Sequence, residues 1–170
     1  MRGRADKKTS PDRFEQMAEQ NPLGSRIVRE IANDGSIVIR DEKCACSFRR
    51  LRAGAIEVRI AGTDSGQFGT AVIDEVALAI VREGSIELLL DATESSIMSV
   101  TVTTAWARFF ELNRQNLQRV TILATSKATT LAMGLVRYLS RTGDLIQILS
   151  DRVRYEARRQ MLASFQRSGG

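Results

Sequence analysis

The sequence predicts an α/β fold, and three observations carry that prediction. Hydrophobic residues make up 43% of the 170-residue chain and charged residues 26%, enough apolar matter for one packed core. From residue 55 onward, short apolar runs alternate with amphipathic stretches of helical period. That rhythm implies right-handed crossovers and a mainly parallel sheet flanked by helices. Before residue 55 the apolar runs are joined too tightly for crossovers, which adds an antiparallel edge.

Taken in order, residues 1–9 are expected to be disordered. Ser10-Pro11-Asp12 is a helix start, with a capping hydroxyl, proline at the first helical position and an acid in the first turn. Phe14, Met17 and Ala18 form its apolar stripe, and Asn21-Pro22 ends it. A second short helix is expected over 25–31, on Ile27, Val28 and Ile31, stopped by Asn33-Asp34-Gly35. Residues 1–35 thus read as a basic, flexible or helical leader, and 36–167 as the folded domain.

Short strands are expected over 37–39, 44–51 and 55–61, the last alternating cleanly. A helix over 68–81 turns Val72, Ile73, Val76, Ala77 and Ile80 to one face, and Gly84 closes it. Residues 86–90 form a continuously apolar strand, as a buried sheet requires. The next helix, over 100–117, carries Val102, Ala105, Trp106, Phe109, Phe110 and Leu117. A strand follows over 119–124. Ser126 then caps a helix whose stripe is Ala128, Leu131, Ala132, Leu135 and Leu139, stopped by Gly143. The last strand is 145–149, and Asp151 opens a final helix with Val153, Ala157, Met161 and Phe165 at four-residue spacing.

Composition removes whole classes of chemistry. The chain has no histidine, so a Ser-His-Asp triad, a Cys-His pair, an HExxH zinc site and a His proton shuttle are all excluded. Cys44 and Cys46 are the only cysteines, too few without histidine for a tetrahedral zinc site in one chain; they read as packed thiols, with redox sensing or a metal site shared between chains as the alternatives. No metal and no cofactor is expected. The basic N-terminus is not followed by an apolar signal core, Arg2 occupies the place of a myristoylated glycine, and the apolar runs are too short to span a membrane. The expected location is the cytoplasm.

The net charge is +5, and seven arginines against three acids between 137 and 170 account for most of it. Arg152, Arg154, Arg158 and Arg159 could meet nucleic acid or an anionic membrane surface, but a solvated helix face explains them as well. Two loops offer chemistry. Gly62, Gly66 and Gly69 lie between a strand and a helix, where phosphate-cradling loops occur. Their spacing is G-x3-G-x2-G, however, without the Walker lysine. Asp91, Thr93, Glu94, Ser95 and Ser96 follow the buried strand at the edge where open α/β sheets place ligands. Asp91 with Glu94 could hold Mg²⁺, although a turn-forming role explains them equally. The hydroxyls of Ser99 and Thr101 stand at the start of the following helix, as caps or as phosphorylation targets. Trp106, Phe109 and Phe110 are adjacent enough that one of them could mark a partner surface.

Three blocks carry a family resemblance: Ile56-Glu57-Val58-Arg59-Ile60-Ala61-Gly62-Thr63, Leu88-Leu89-Leu90-Asp91-Ala92-Thr93 and Val120-Thr121-Ile122-Leu123-Ala124-Thr125-Ser126. Their sequence and spacing resemble the STAS domain (sulfate transporter and anti-sigma factor antagonist), over residues 55–156. The resemblance implies a STAS-like mixed sheet and a non-enzymatic regulatory module that docks a signalling partner, a kinase or regulator, and is phosphorylated by it. The family's Asp-Ser-Ser-Gly phosphoacceptor motif should fall near 99–102, where this chain reads Ser99-Val100-Thr101-Val102. Ser99 and Thr101 are the nearest acceptors, and the 91–102 loop with Asp91, Thr93, Glu94, Ser95, Ser96 and Trp106 is the expected docking surface. Homo-oligomerisation is compatible with this reading. The alternative is a small-ligand or nucleotide-binding protein using Gly62, Gly66 and Gly69.

Overall fold

A computed structural model describes residues 26–164. The unstructured stretch expected over 1–9 and the helix expected from Ser10 to Pro22 lie outside the described residues. The chain forms one seven-stranded sheet with its strands in sequential order. These are β1 (Val28–Ile31), β2 (Ile37–Arg40), β3 (Cys44–Arg52), β4 (Ala55–Asp64), β5 (Ile86–Met98), β6 (Leu117–Leu123) and β7 (Ile146–Leu149). β1 to β4 pair antiparallel and β4 to β7 pair parallel. The mixed sheet with an antiparallel edge is the one the sequence predicts.

Three helices make the parallel crossovers: α1 (Ala71–Glu83), α2 (Val100–Leu112) and α3 (Lys127–Leu139). Each crossover steps one strand in the same direction, so a common handedness puts all three on one face. α4 (Arg152–Ser164) follows β7 and covers the other face. Strand alternation divides the apolar residues accordingly. Ile86, Leu88 and Leu90 pack with Val76, Trp106, Phe110, Met133 and Val136 in the main core. Leu89 packs with Leu51, Leu123, Leu149, Tyr155 and Leu162 beneath α4.

Several elements differ from expectation. Residues 26–31 do not form a helix: Val28–Ile31 is the edge strand β1, and Ser25 lies outside the described residues. The Asn33-Asp34-Gly35 cluster is a hairpin turn, in which the Asp34 carboxylate accepts from the Ser36 N–H and hydroxyl. Those two bonds, the larger one from the hydroxyl, and the Arg49 guanidinium lower the Asp34 pKa to about 2. Residues 91–98 are not a loop but the continuation of β5. β4 runs on to Asp64 and supplies a ladder, pairing Ala61 with Glu94 and Asp64 with Met98. α1 begins at Ala71 rather than 68, with Phe68 buried ahead of it. α2 ends at Leu112, and a 3-10 turn (Arg114–Asn116) delivers Leu117 to β6. α3 ends at Leu139, before a second 3-10 turn that contains Gly143.

The buried faces of α3 and α4 also depart from the expected stripes. α3 buries Thr129, Met133 and Val136, while Leu131, Leu135 and Leu139 are exposed. α4 buries Tyr155 and Leu162, while Val153 and Met161 are exposed, and Phe165 of the expected stripe lies outside the described residues. Cys44 and Cys46 are buried in the main core as free thiols, and hydrogen bonding to Cys44 together with burial pushes the Cys46 thiol far up. Among the described residues no helix is long and apolar enough to cross a membrane.

Candidate functional site

The carboxyl ends of β4 and β5 build the most distinctive local structure. The β5–β6 ladder stops at Asp91 opposite Leu123, whereas β4 and β5 continue as an arm to Asp64 opposite Met98, with the start of β3 still paired to β4 at Gly62. The arm closes onto α2, because the Asp64 carbonyl accepts the Ser99 N–H at 3.0 Å. Ser99 is the N-cap of α2: its backbone is extended and its Oγ accepts the Val102 N–H at 3.2 Å. Its carbonyl takes the Thr103 N–H and Oγ, both at 2.9 Å. The sequence folds this way because a serine before an apolar helix satisfies an otherwise unpaired amide. Around this junction Glu94, Ser96, Ile97, Val100, Thr101 and Thr104 are exposed. Ile97 (64%) and Val100 (78%) are large apolar side chains open to solvent on either side of Ser99.

The preceding glycine loop is occupied with its own bonding. Ser65 donates its N–H and hydroxyl to Gln67 Oε1, and the Gly66 N–H goes to Asp64 Oδ1. The Gln67 amide returns to the Thr63 carbonyl, and the Gly69 N–H goes to the Gly66 carbonyl. Phosphate cradles need free amides and no competing anion. Here the amides of Ser65, Gly66 and Gly69 are taken, and the carboxyl beside them is buried. Burial raises the Asp64 pKa, opposed by the Gly66 N–H. Gly62 is not in the loop at all but inside β4. It has φ +92°, and a Cβ there would sit 2.1 Å from the Lys43 carbonyl oxygen, so its glycine is required by strand β3 alongside. Gly66 (φ +95°) forms the turn that brings the loop close to Ser99 and Val102.

The expected docking residues are divided among different surroundings. Asp91 is buried beneath α4, accepting the Thr93 N–H and hydroxyl, with Arg152 at 3.5 Å. Arg152 also donates to the Thr93 hydroxyl at 2.8 Å. Ser95 is buried on the arm, and its carbonyl takes the Thr129 hydroxyl of α3 at 3.4 Å. Glu94 and Ser96 are exposed. Trp106 is 2% exposed and packs on Phe109 and Phe110 at 6.0 and 5.4 Å, so it is core and not a contact for a partner. Phe109 and Phe110 are also buried. Ser99, the N-cap, is half-buried, and Thr101 is exposed in the first turn of α2. The basic helix is tied down: Arg158 pairs with Glu87 through two bonds of 2.6 Å, and Arg159 with Glu57 at 2.9 Å. Among the described residues no cluster of three potential metal ligands occurs, and Asp91 is engaged by Arg152 and Thr93 instead.

Sequence reasoning did not single out Asp64, Ile97 and Val100 at the junction, nor Glu57 and Glu87 under α4. The signal for Asp64 was its place before Ser65-Gly66, where an acid closes a tight turn. Nothing local marks Ile97 and Val100, because their exposure follows from the arm projecting beyond β6.

No protein-family model and no curated protein matches this sequence. Solved structures do. An anti-sigma factor antagonist from Mycobacterium paratuberculosis superposes with a TM-score of 0.51 at 12% identity, over 77% of this chain and 99% of that one. A protein of the DUF3478 family with a SpoIIAA-like fold, from Shewanella loihica PV-4, gives 0.48 at 16% identity, over 68% and 93%. The first of these likenesses shows a STAS-like fold, as the three sequence blocks led one to expect.

Proposed function

We propose that this protein is a non-enzymatic regulatory module that docks a signalling protein at the junction of the β4–β5 arm and α2. The observation that carries the reading is the exposure of Ile97 and Val100 beside a rigidly capped Ser99. Large apolar side chains held on a fixed scaffold and rimmed by Glu94, Ser96, Thr101 and Thr104 have the composition of a small interface, apolar at the centre and polar at the edge. The fold supports the reading by analogy, since the Mycobacterium protein is described as an anti-sigma factor antagonist. The partner is a kinase or regulator in the cytoplasm, and Thr101 and Ser99 are the acceptor hydroxyls, placed where a phosphate would be favoured by the α2 dipole. Phosphorylation of Ser99 would first have to release its bond to the Val102 N–H, so Thr101 is the more accessible acceptor.

The test is affinity capture of the tagged full chain from its host beside the variant Ile97→Asp/Val100→Asp, with mass spectrometry of partners and phosphosites. A signalling protein recovered by the wild type and lost with the variant is the expected result. A set of partners identical for both chains would refute docking at this junction.

A further inference from the structure

The outward stripe of α3 is unexplained by the fold or by the proposed docking site. Leu131 (75% exposed), Leu135 (45%), Tyr138 (79%) and Leu139 (42%) follow the spacing i, i+4, i+7, i+8 and share one face, opposite the buried Thr129, Met133 and Val136. Four large apolar side chains on one helical face form a surface that a partner helix fits. Its charge has one sign. The segment Lys127–Leu139 contains Lys127 and Arg137, with Arg141 just beyond, and no acid.

The complementary pattern occurs in this same chain. Residues 10–22 place Phe14, Met17 and Ala18 at helical spacing among Asp12, Glu15 and Glu19, against a single base, Arg13. An acidic amphipathic segment therefore precedes the described residues, and a basic, partly apolar helix face is exposed within them. A symmetric α3–α3 pairing is disfavoured, since an antiparallel two-fold would bring Lys127 toward the partner's Arg137 and Arg141. Docking within one chain is too short. Arg26 stands at the β1 edge, while α3 packs over β5 and β7, and five strand spacings of about 4.8 Å separate β1 from β6. The four peptide steps from Pro22 to Arg26 span at most about 14 Å. A helix docked along α3 runs along the strands rather than across them and adds nothing to the lateral span, so about 14 Å of chain would have to cover about 24 Å of sheet.

We propose that residues 10–22 of one copy dock as an amphipathic helix on the Leu131–Leu135–Tyr138–Leu139 stripe of a second copy. The two chains associate by exchanging these segments. Phe14, Met17 and Ala18 cover the leucines, and Glu15 and Glu19 face Lys127 and Arg137.

Sedimentation of the full chain over a range of concentrations tests this. The wild type self-associates. The variants Phe14→Asp/Met17→Asp and Leu131→Asp/Leu135→Asp each weaken association about tenfold or more, since each removes apolar burial from both copies of the contact. An equimolar mixture of the two variants recovers a heterodimer, because one intact segment and one intact stripe remain. Lys127→Glu/Arg137→Glu, which leaves every apolar residue in place, also weakens association and is rescued by Glu15→Lys/Glu19→Lys in the same chain. A monomer at all concentrations, wild-type association by the Phe14→Asp/Met17→Asp variant, or a mixture that fails to recover the heterodimer would overturn the proposal.

Discussion

The two faces of this sheet are held by different physics. Under α1, α2 and α3 the contact is apolar: Leu88, Leu90, Val120 and Ile122 meet Val76, Trp106, Phe110, Met133 and Val136 in one continuous core. Under α4 the apolar contribution is small, chiefly Leu89, Leu123, Leu149, Tyr155 and Leu162. There the sheet presents buried acids instead. Glu57, Glu87 and Asp91 sit beneath a helix that answers with Arg159, Arg158 and Arg152. Burying apolar surface stabilises without regard to partner, whereas a buried ion pair contributes little net stability and becomes costly when one half is removed. The basic C-terminal helix is thus an intramolecular counter-charge as well as a surface, which leaves less of it for nucleic acid than the sequence alone suggests.

This contrast can be broken from the apolar side first. Phe110→Ala opens a cavity beside Trp106 and Phe109 and should cost about 3–5 kcal/mol in urea unfolding. On the other face Arg158→Ala leaves the buried Glu87 without its bidentate partner and should cost about 3 kcal/mol. Replacing both members, Glu87→Leu/Arg158→Leu, should return stability to within about 1 kcal/mol of wild type. If the double variant were as unstable as the single one, the pair would be a net stabilising element and the contrast between faces would fail.

Smaller effects fall at the junction. Ser99→Ala removes the α2 cap and should cost about 1 kcal/mol, read in the same unfolding experiment. Asp64→Asn tests the buried carboxyl. Folding raises the Asp64 pKa through burial, so ionised Asp64 penalises the native state. The penalty is absent below the unfolded carboxyl pKa near 3.9, grows as pH rises toward the folded value, and is constant above it. Asp64→Asn keeps an oxygen for the Gly66 N–H, so it should be more stable than wild type at pH 7 and lose that advantage as the pH falls toward 3. An advantage independent of pH would assign the effect to something other than the charge.

Much of the architecture was legible because it is written locally. The parallel half follows from strand–helix alternation, and Ser99 and Ser126 cap helices as their positions before apolar stretches require. β1 was misread because Ile27, Val28 and Ile31 satisfy helical spacing, and only pairing with β2 makes them a strand. The reading of 91–102 as a loop failed for the same reason. Thr93-Glu94-Ser95-Ser96 has little strand character, and β4 imposes it by continuing alongside. The candidate site was accordingly half visible: Ser99 and Thr101 came from the sequence, and Ile97 and Val100 did not.

What the sequence determined alone was the class of fold, its parallel half with an antiparallel edge and the chemistry it lacks, since periodicity, caps and the absence of histidine need no neighbours to act. The tertiary structure decided which side of each helix is inside. α3 carries two apolar arcs, and the sheet with α2 buries Met133 and Val136 rather than the larger Leu131, Leu135 and Leu139. α4 likewise turns Tyr155 and Leu162 inward because Arg158 and Arg159 must meet Glu87 and Glu57. Burial is a property of the pair of surfaces, and a helix holds only one of them.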